Sequence, residues 1–554
     1  MKKRILAGIL ASTMILGSLV SCSSGDDGSS GGGTSGGGSS SSNTGGTPVA
    51  PEDFFPIADP ITVSIAGRHQ DGTNPQADQQ FYIDLQGETG INIEWIDWPT
   101  SQHAEKMSLA FAGNTVPDAL YGDYIVTSAQ AVEYGSDGWL LPLNDYITPE
   151  YMPNFCEVLE KRPEVLDSIT APDGNIYALP QILESTGESS NSTMLINTEW
   201  LAQVGKEMPT TISEFHDVLL AFKNAGDLNG NGLADEIPFT FQFNDGNTGQ
   251  WDLMGWTGLV ANNQHQRMTR KDGEVVFMPM VDEYKEWLEY MHLLYADGLI
   301  DPEAFTMTGS AYNAKIKTAE PTCGVVMAWN AEQINALLPD NDLTQDGVYQ
   351  FVAPLDGENG VDPVWGPRIK APNRILNFVI NADTDYAEEL VRWADLHYDV
   401  DTSIEIRLGL IGTHINEVEP GYYEKLNNAD GVPFTDIEKS VYVPTVSALC
   451  SVLIDDFLWY GDIMPQSKAG ASVFYEDYLF EDYVKASAMT TLEESDLSNK
   501  IMPDMKSVVD QATAKFITQG GIDAGWDSYL ADLEKIGIQE YIDLWTEIDA
   551  RSPV

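Results

Sequence analysis

Residues 61–98 read ITVSIAGRHQDGTNPQADQQFYIDLQGETGINIEWIDW, and the change of period along them decides the fold. Ile61 to Gly67 alternates like a strand. Asn74 to Gly90 carries an amphipathic helical pattern that stops at a glycine. Ile91 to Trp98 alternates again. Strand, helix and strand at this spacing imply a parallel sheet and an α/β fold.

The pattern recurs downstream. His103 to Asp123 reads as a helix, a turn and a short strand, and further helices fall at Thr211–Gly226 and Asp282–Gly298. No internal repeat of 20–50 residues occurs, which excludes solenoids and propellers. About 500 residues of body are too many for one core and enough for two large lobes.

Upstream, MKKR is a positive n-region, ILAGILASTMILG is apolar, and SLVSC ends at Cys22. The apolar run is too short to span a bilayer, so residues 1–22 read as a secretory signal. A Cys directly after Leu-Val-Ser resembles the lipobox of bacterial lipoproteins, which implies cleavage before Cys22 and a lipid on it. Residues 23–60 open with an almost pure Gly/Ser run, a flexible tether with a reach of roughly 30 Å. These features predict a body held at the extracellular face of a bacterial membrane by a lipid anchor alone.

The chain has 29 Lys plus Arg against 85 Asp plus Glu, a formal charge of −56. Such a surface repels nucleic acid and anionic lipid, so neither is an expected partner. Beyond Cys22, the thiols Cys156, Cys323 and Cys450 have no metal or redox spacing and read as small apolar residues.

Asp227 to Phe239, DLNGNGLADEIPF, has the spacing of a calcium loop. Asp227, Asn229 and Asn231 fill positions 1, 3 and 5, with Gly232 at 6. The Leu233 carbonyl fills 7 and Asp235 fills 9, but position 12, normally Glu, is Pro238. Neither G-x-S-x-G, H-E-x-x-H nor a P-loop is present, and seven His without ligand-like spacing argue against zinc. Nothing in these motifs demands catalysis, and the chain does not read as an enzyme.

The order of AGNTVPDALYGDY (112–124), GSDGWLLPLNDYI (135–147), PDGNIYALPQILESTG (172–187) and MLINTEWLAQVGKEMPTTISEFHDVLLAFK (194–223) resembles the extracellular solute-binding proteins of ABC importers. The likeness is to the sugar-binding family that includes maltose- and alginate-oligosaccharide-binding proteins. FITQGGIDAGWDSYLADLEKIGIQEYIDLW (516–545) resembles the closing helices of its longer lipoprotein members, so the likeness runs from Ile61 to the end. It implies two α/β lobes joined by a hinge, with ligand in the cleft between them. Lobe one is then expected at 61–183 plus 323–410, and lobe two at 184–322 plus 411–554. The hinge falls at LPQILESTG and GVVMAWNAEQI.

The resemblance also implies a carbohydrate ligand, ABC permease subunits as partners, and a monomer. Larger oligosaccharide binders of the family carry the same loop. By that resemblance Glu236, directly after Asp235, would supply the carboxylate that position 12 lacks here, and Ca²⁺ would be structural. A glycan-capturing lipoprotein without transport, or a binder of another solute such as a peptide, remains the alternative.

Sugar rings present an apolar face and a rim of hydroxyls, so a cleft for them needs aromatic platforms beside carboxylates and amides. The resemblance points to Trp329, after the strand of GVVMAWN, as a stacking residue. Trp251, Asp252 and Trp256 lie in the Gly-flanked NTGQWDLMGWTG. On the second strand, alternation separates Trp95, expected in the core, from Trp98, expected in the cleft. Asp123 ends a strand as a hydroxyl acceptor, and Glu184 and Ser185 stand at the crossing. Trp365 and Arg368 sit in a turn-rich segment. Trp139, Trp200, Trp287, Trp393, Trp526 and Trp545 fall in packing phrases and are expected in the core.

Overall fold

The computed structural model describes residues 54–183, 192–246, 248–261, 267–335, 337–338, 346–367, 375–429, 434, 436–444, 448–453, 458–459, 466 and 468–552. Cys22, the signal-like segment and most of the tether lie outside the described residues, as do Glu184, Ser185 and Arg368.

Four strands open the first sheet: β1 (Ile61–His69), β2 (Ile91–Pro99), β3 (Ala119–Gly122) and β4 (Leu179–Leu183). The chain then gives β5 (Thr193–Asn197) and β6 (Ile237–Thr240) to a second sheet and folds a hairpin, β7 (Met268–Lys271) and β8 (Glu274–Phe277). It adds β9 (Cys323–Ala328) and β10 (Tyr349–Phe351) to the second sheet before returning to the first with β11 (Ile375–Ile380) and Ser451–Val452. The first sheet runs in the order Ser451–Val452, β4, β11, β3, β1, β2, and the second β10, β5, β9, β6.

The expected strand–helix–strand unit is present. β1 and β2 pair in parallel from Ile61↔Ile91 to His69↔Pro99, and β1 also pairs in parallel with β3. Between them runs α1 (Gln80–Thr89), closed by Gly90 at φ 77°, a left-handed cap that glycine adopts without strain. The helix α2 (His103–Ala112) and α3 (Ser128–Ser136) cover the same sheet, and Thr127 and Gln130 form a reciprocal capping box on α3. The core of this sheet joins Val63, Ile65, Tyr82, Tyr121, Phe378 and Trp393.

Around the second sheet, α4 (Ile212–Ala225) and α5 (Asp282–Ala296) pack with α6 (Leu492–Gln519), α7 (Ile522–Ile536) and α8 (Ile538–Arg551). Trp200, Trp287, Trp526 and Trp545 lie in this core, Trp393 in the first, and Trp139 against the first, all as the packing phrases require. Among the described residues no helix is long and apolar enough to cross a membrane. Cys156, Cys323 and Cys450 are all thiols. Burial pushes the Cys323 thiol up to about 12 and the Cys450 thiol up to about 11.

The segment boundaries differ from expectation. Cys323–Ala328 does not return to the first sheet. It sits between β5 and β6 in the second, buried at every position as a central strand covered on both faces must be. An apolar run of that kind carries no mark of which sheet it enters. The return falls between Phe351 and Ile375, and Ser451–Val452 pairs with β4, so 411–554 is shared between the two sheets.

Candidate functional site

In open α/β sheets, ligands bind beyond the carboxyl ends of parallel strands. In the second sheet β6 and β9 are the parallel pair, in register Ile237↔Cys323 through Thr240↔Val326. β5 runs antiparallel to β9, with Thr193 opposite Ala328. One step further brings Ser192 and Trp329 to the same edge, where the chain leaving β6 also emerges. Trp329 is half-buried there.

The chain after β6 turns back through Asp245 and enters a 3₁₀ segment, Trp251–Thr257. A recess forms there, lined by Ser192, Asp245, Trp251, Asp252, Arg267 and Met278 among others. The Ser192 hydroxyl donates to the Asp252 carboxylate, which fixes both groups at the rim. The recess admits little more than a water molecule, about 20 Å³, so a larger ligand would rest across its rim.

Trp251 lines the recess but does not offer an open face. Its ring stacks 6.0 Å from Tyr284 and 5.8 Å from Trp287, and the Arg267 guanidinium lies 4.8 Å over it. Trp256, expected beside it as a platform, is 6% exposed and packs edge-on against Tyr290 in the core. Trp365 is likewise buried, stacked 5.0 Å from Tyr475 with its indole N–H donated to the Ser192 carbonyl. The 3₁₀ turn places both Trp251 and Trp256 beneath α5, where apolar area is removed from water.

The first sheet presents a corresponding edge at the carboxyl ends of β1, β2 and β3. Trp98 is there but 3% exposed, packed edge-on against His103 of α2, so it is core and not cleft. Trp95 is partly buried against Tyr82 and Tyr121. Asp123 follows Gly122 at the strand end and is half-buried, and burial raises its carboxyl against the opposing pull of Arg68. Gly122, at φ 133°, is needed where it stands, since a Cβ would lie 2.3 Å from the Arg68 carbonyl. Arg68 donates to the carbonyls of Asp123 and, at 2.7 Å, Tyr124.

The loop at 227–236 folds on itself through side-chain oxygens. Asp227 accepts from the N–H groups of Gly230 and Gly232 at 2.7 and 2.8 Å, and Asn229 and Asn231 accept from Asn231 and Leu233 at 3.0 and 2.7 Å. Asn231 also donates to both Asp235 oxygens at 3.2 Å, and Glu236 takes the Leu228 N–H at 2.5 Å. Among the described residues no three acidic, His or Cys side chains form a metal cluster. The loop's three carboxylates are instead interleaved with two amides and a carbonyl. An all-oxygen set on a loop already wound by its own N–H groups suits a hard cation such as Ca²⁺.

Of the residues expected at a site, Trp251 and Asp252 line the recess, and Trp329 follows β9 at the same sheet edge. Asp123 stands on the first sheet's edge. Trp98 and Trp256 join neither as open surfaces. Ser192, Asp245 and Arg267 were missed. Ser192 had only its place ahead of an apolar strand as a signal, and Arg267 had none.

The sequence profile of the bacterial extracellular solute-binding proteins matches residues 66–395. The fructooligosaccharide ABC transporter substrate-binding protein FusA of Streptococcus pneumoniae serotype 4 is 29% identical over 83% of this chain and 84% of its own. That protein's structure with kestose aligns with a TM-score of 0.72 at 27% identity, over 88% of this chain and 98% of its own, and an EF-hand mutant of it has been solved with fructo-nystose. An extracellular solute-binding protein from Bifidobacterium longum subsp. infantis aligns with a TM-score of 0.78 at 24% identity, covering 90% of this chain and 99% of that one. The alginate-binding protein AlgQ2, solved without calcium ion, aligns at 0.63 and 18% identity over 90% and 99%.

Proposed function

The chain belongs to the bacterial extracellular solute-binding protein family, and from that premise we propose that it is the capture subunit of an ABC importer for a neutral oligosaccharide. The observation that carries this reading is the convergence of Ser192, Asp252 and Trp329 at the carboxyl edge of β6 and β9. Trp329 stacks on a sugar face there. Asp252, oriented by Ser192, accepts from ring hydroxyls, and a carboxylate receiving hydroxyl hydrogens makes the stronger, charge-assisted kind of hydrogen bond. Asp123 supplies an acceptor from the opposite sheet, and Glu184 and Ser185, which follow β4 in the sequence, are further ligand contacts in this reading. Trp251 braces the recess.

Closure of the two lobes traps the sugar, and permease subunits receive it. The protein acts as a monomer without catalysis, tethered through lipid on Cys22 and the 23–60 segment at the outer face of the membrane. Asp227, Asn229, Asn231, Leu233, Asp235 and Glu236 would hold one Ca²⁺, which braces the second lobe and takes no part in capture. The bound ion would supply positive charge to an otherwise acidic loop.

The test is a titration of the full-length chain in detergent against an array of neutral and acidic oligosaccharides, read by tryptophan fluorescence and melting temperature. A neutral oligosaccharide that shifts the spectrum and raises the melting point supports the reading. Binding confined to peptides, or to none of the sugars, would overturn it.

A further inference from the structure

Where α6 begins, its packing against α8 changes character. From its third turn α6 gives Ile501, Met505 and Val509 to the second core, at the four-residue spacing of a buried helical stripe. The residues that its first two turns turn toward α8 are instead Ser495, Ser498 and Asn499, small and polar. Across from them α8 still offers an apolar stripe, Leu544, Trp545 and Ile548, each at most 7% exposed. Small side chains set against large ones leave space that close packing would otherwise fill.

That space is a cavity of about 390 Å³, where the recess beside Asp252 has about 20 Å³, and the two have no described lining residue in common. Cavities above ~300 Å³ are of the size that holds small organic ligands. Ser128, the first residue of α3, also lines it. The α3 helix packs through Ala131 and Val132 into the first core, whereas α6 and α8 belong to the second, so the cavity lies between the two.

The lining selects a chemistry. Its charged side chain is Glu494, and Arg551 donates to both carboxylate oxygens while the Thr491 N–H reaches one of them at 2.8 Å. That carboxylate is neutralised, and among the described lining residues there is no cation to receive an anion. What faces a ligand is the hydroxyls of Ser128, Thr490, Ser495 and Ser498 with the Asn499 amide, groups that both donate and accept. The Thr490 and Ser495 hydroxyls lie 3.2 Å apart, and the capping box of Thr491 and Glu494 fixes the turn that carries them. Neutral polar groups on one side and an apolar floor on the other match a sugar ring, which has a rim of hydroxyls and an apolar face.

We propose that this cavity is a second carbohydrate site, which takes one neutral monosaccharide between α3, α6 and α8, apart from the site of oligosaccharide capture. It stands on the cavity's own chemistry and does not rest on the capture reading. An occupant touches helices of both cores, so its binding is linked to any movement of one against the other.

The test uses the full-length chain in detergent, with D-glucose, D-galactose and D-fructose as probes and glucosamine and glucuronate as charged controls. Saturation-transfer NMR and calorimetric titration supply the readout. A neutral sugar should bind the wild type and the charged controls should not. Ser498→Leu pushes a branched side chain into the cavity and should weaken that binding by about tenfold or more. Asn499→Ala, at an exposed position, removes one hydrogen-bonding group and should weaken it severalfold with an unchanged melting temperature. Affinity for any oligosaccharide the chain captures should stay within about twofold in both variants.

Absence of neutral monosaccharide binding overturns the proposal, as does equal binding of the charged controls or unchanged binding in both variants. If Ser498→Leu melts lower than wild type, Asn499→Ala alone decides. Variants that lose oligosaccharide together with monosaccharide would make the cavity an arm of the capture site, and the second site falls while capture stands. If no oligosaccharide binds but the monosaccharide responses hold, the capture reading fails and this proposal stands.

Discussion

The hairpin β7–β8 is fastened to the last helix by one unequal ion pair, and its two sides should not be interchangeable. Arg270 on β7 pairs with Asp549 on α8; the arginine side chain is 23% exposed and the aspartate 4%. Arg270 has a second carboxylate, Asp482, at 3.7 Å, and donates to the Gly273 carbonyl at 3.0 Å. Asp549 accepts the Lys485 N–H at 2.7 Å. Arg270→Met leaves a buried carboxylate without its counter-charge, at a cost of about 3–5 kcal/mol. Asp549→Asn keeps the Lys485 hydrogen bond and leaves Arg270 with water and Asp482, at a cost of about 1–2 kcal/mol. With about 500 residues of body unfolding together at about 2.1 cal/mol/K each, 4 kcal/mol corresponds to a melting shift of about 4 °C. The aspartate variant should shift by only about 1–2 °C. Thermal melts of both variants by circular dichroism decide it. Equal shifts, or a larger one for Asp549→Asn, would refute the argument that burial of the carboxylate sets the cost. Because Arg267 and Met278 flank the hairpin and line the recess, Arg270→Met should also weaken ligand binding.

Trp329→Ala should reduce sugar affinity by about tenfold or more with little loss of stability, whereas Trp256→Ala should cost about 3–5 kcal/mol of stability, measured by denaturant melts. A chelator, or Asp227→Ala with Glu236→Ala, should lower the melting temperature while titration shows affinity nearly unchanged; at a calcium level a hundredfold above its dissociation constant the ion contributes about 2.7 kcal/mol. Burial lowers His397 to about 4, so the unfolded chain binds its proton first. Its contribution is present above about pH 6.5 and is lost as pH falls toward 4. Asp395, raised by burial to about 7, acts in the opposite sense, gaining stability as pH falls below 7. The histidine part is therefore read as the difference between wild type and His397→Gln in chemical denaturation from pH 7 to 4.

Local periodicity carried most of the first sheet, because β1, α1 and β2 are adjacent in sequence and each has its own period. The spacing of the calcium-type loop is legible for the same reason: all the oxygens it offers lie within one turn-rich stretch. Helical spacing also separated the packing tryptophans Trp200, Trp287 and Trp393 correctly from the rest. What failed depended on partners far along the chain. Trp98 lies on the face that alternation leaves open, but His103 covers it. Trp251 and Trp256 look like loop residues because a 3₁₀ turn between glycines has no long period, and only α5 shows that they are roofed over. The strand at Cys323 could enter either sheet until its pairing with β5 and β6 was known. Ser192 and Trp329 come to one sheet edge only through that pairing.

The threading of the two sheets sets an order of events during synthesis. β3 and β4 are not neighbours: β11 lies between them, contributed roughly 190 residues after β4, and Ser451–Val452 closes β4 still later. A chain emerging from its N-terminus therefore carries one unpaired edge on β3 and two on β4 while all of β5 to β10 is being made. The second core waits in turn for α6, α7 and α8, whose apolar faces cover Trp287 and Tyr284. Neither half can be completed alone, and late closure prolongs the interval in which unpaired edges can meet those of another chain. The arrangement that joins two sheets into one binding device thus defers closure of the newly made chain until its C-terminal helices arrive.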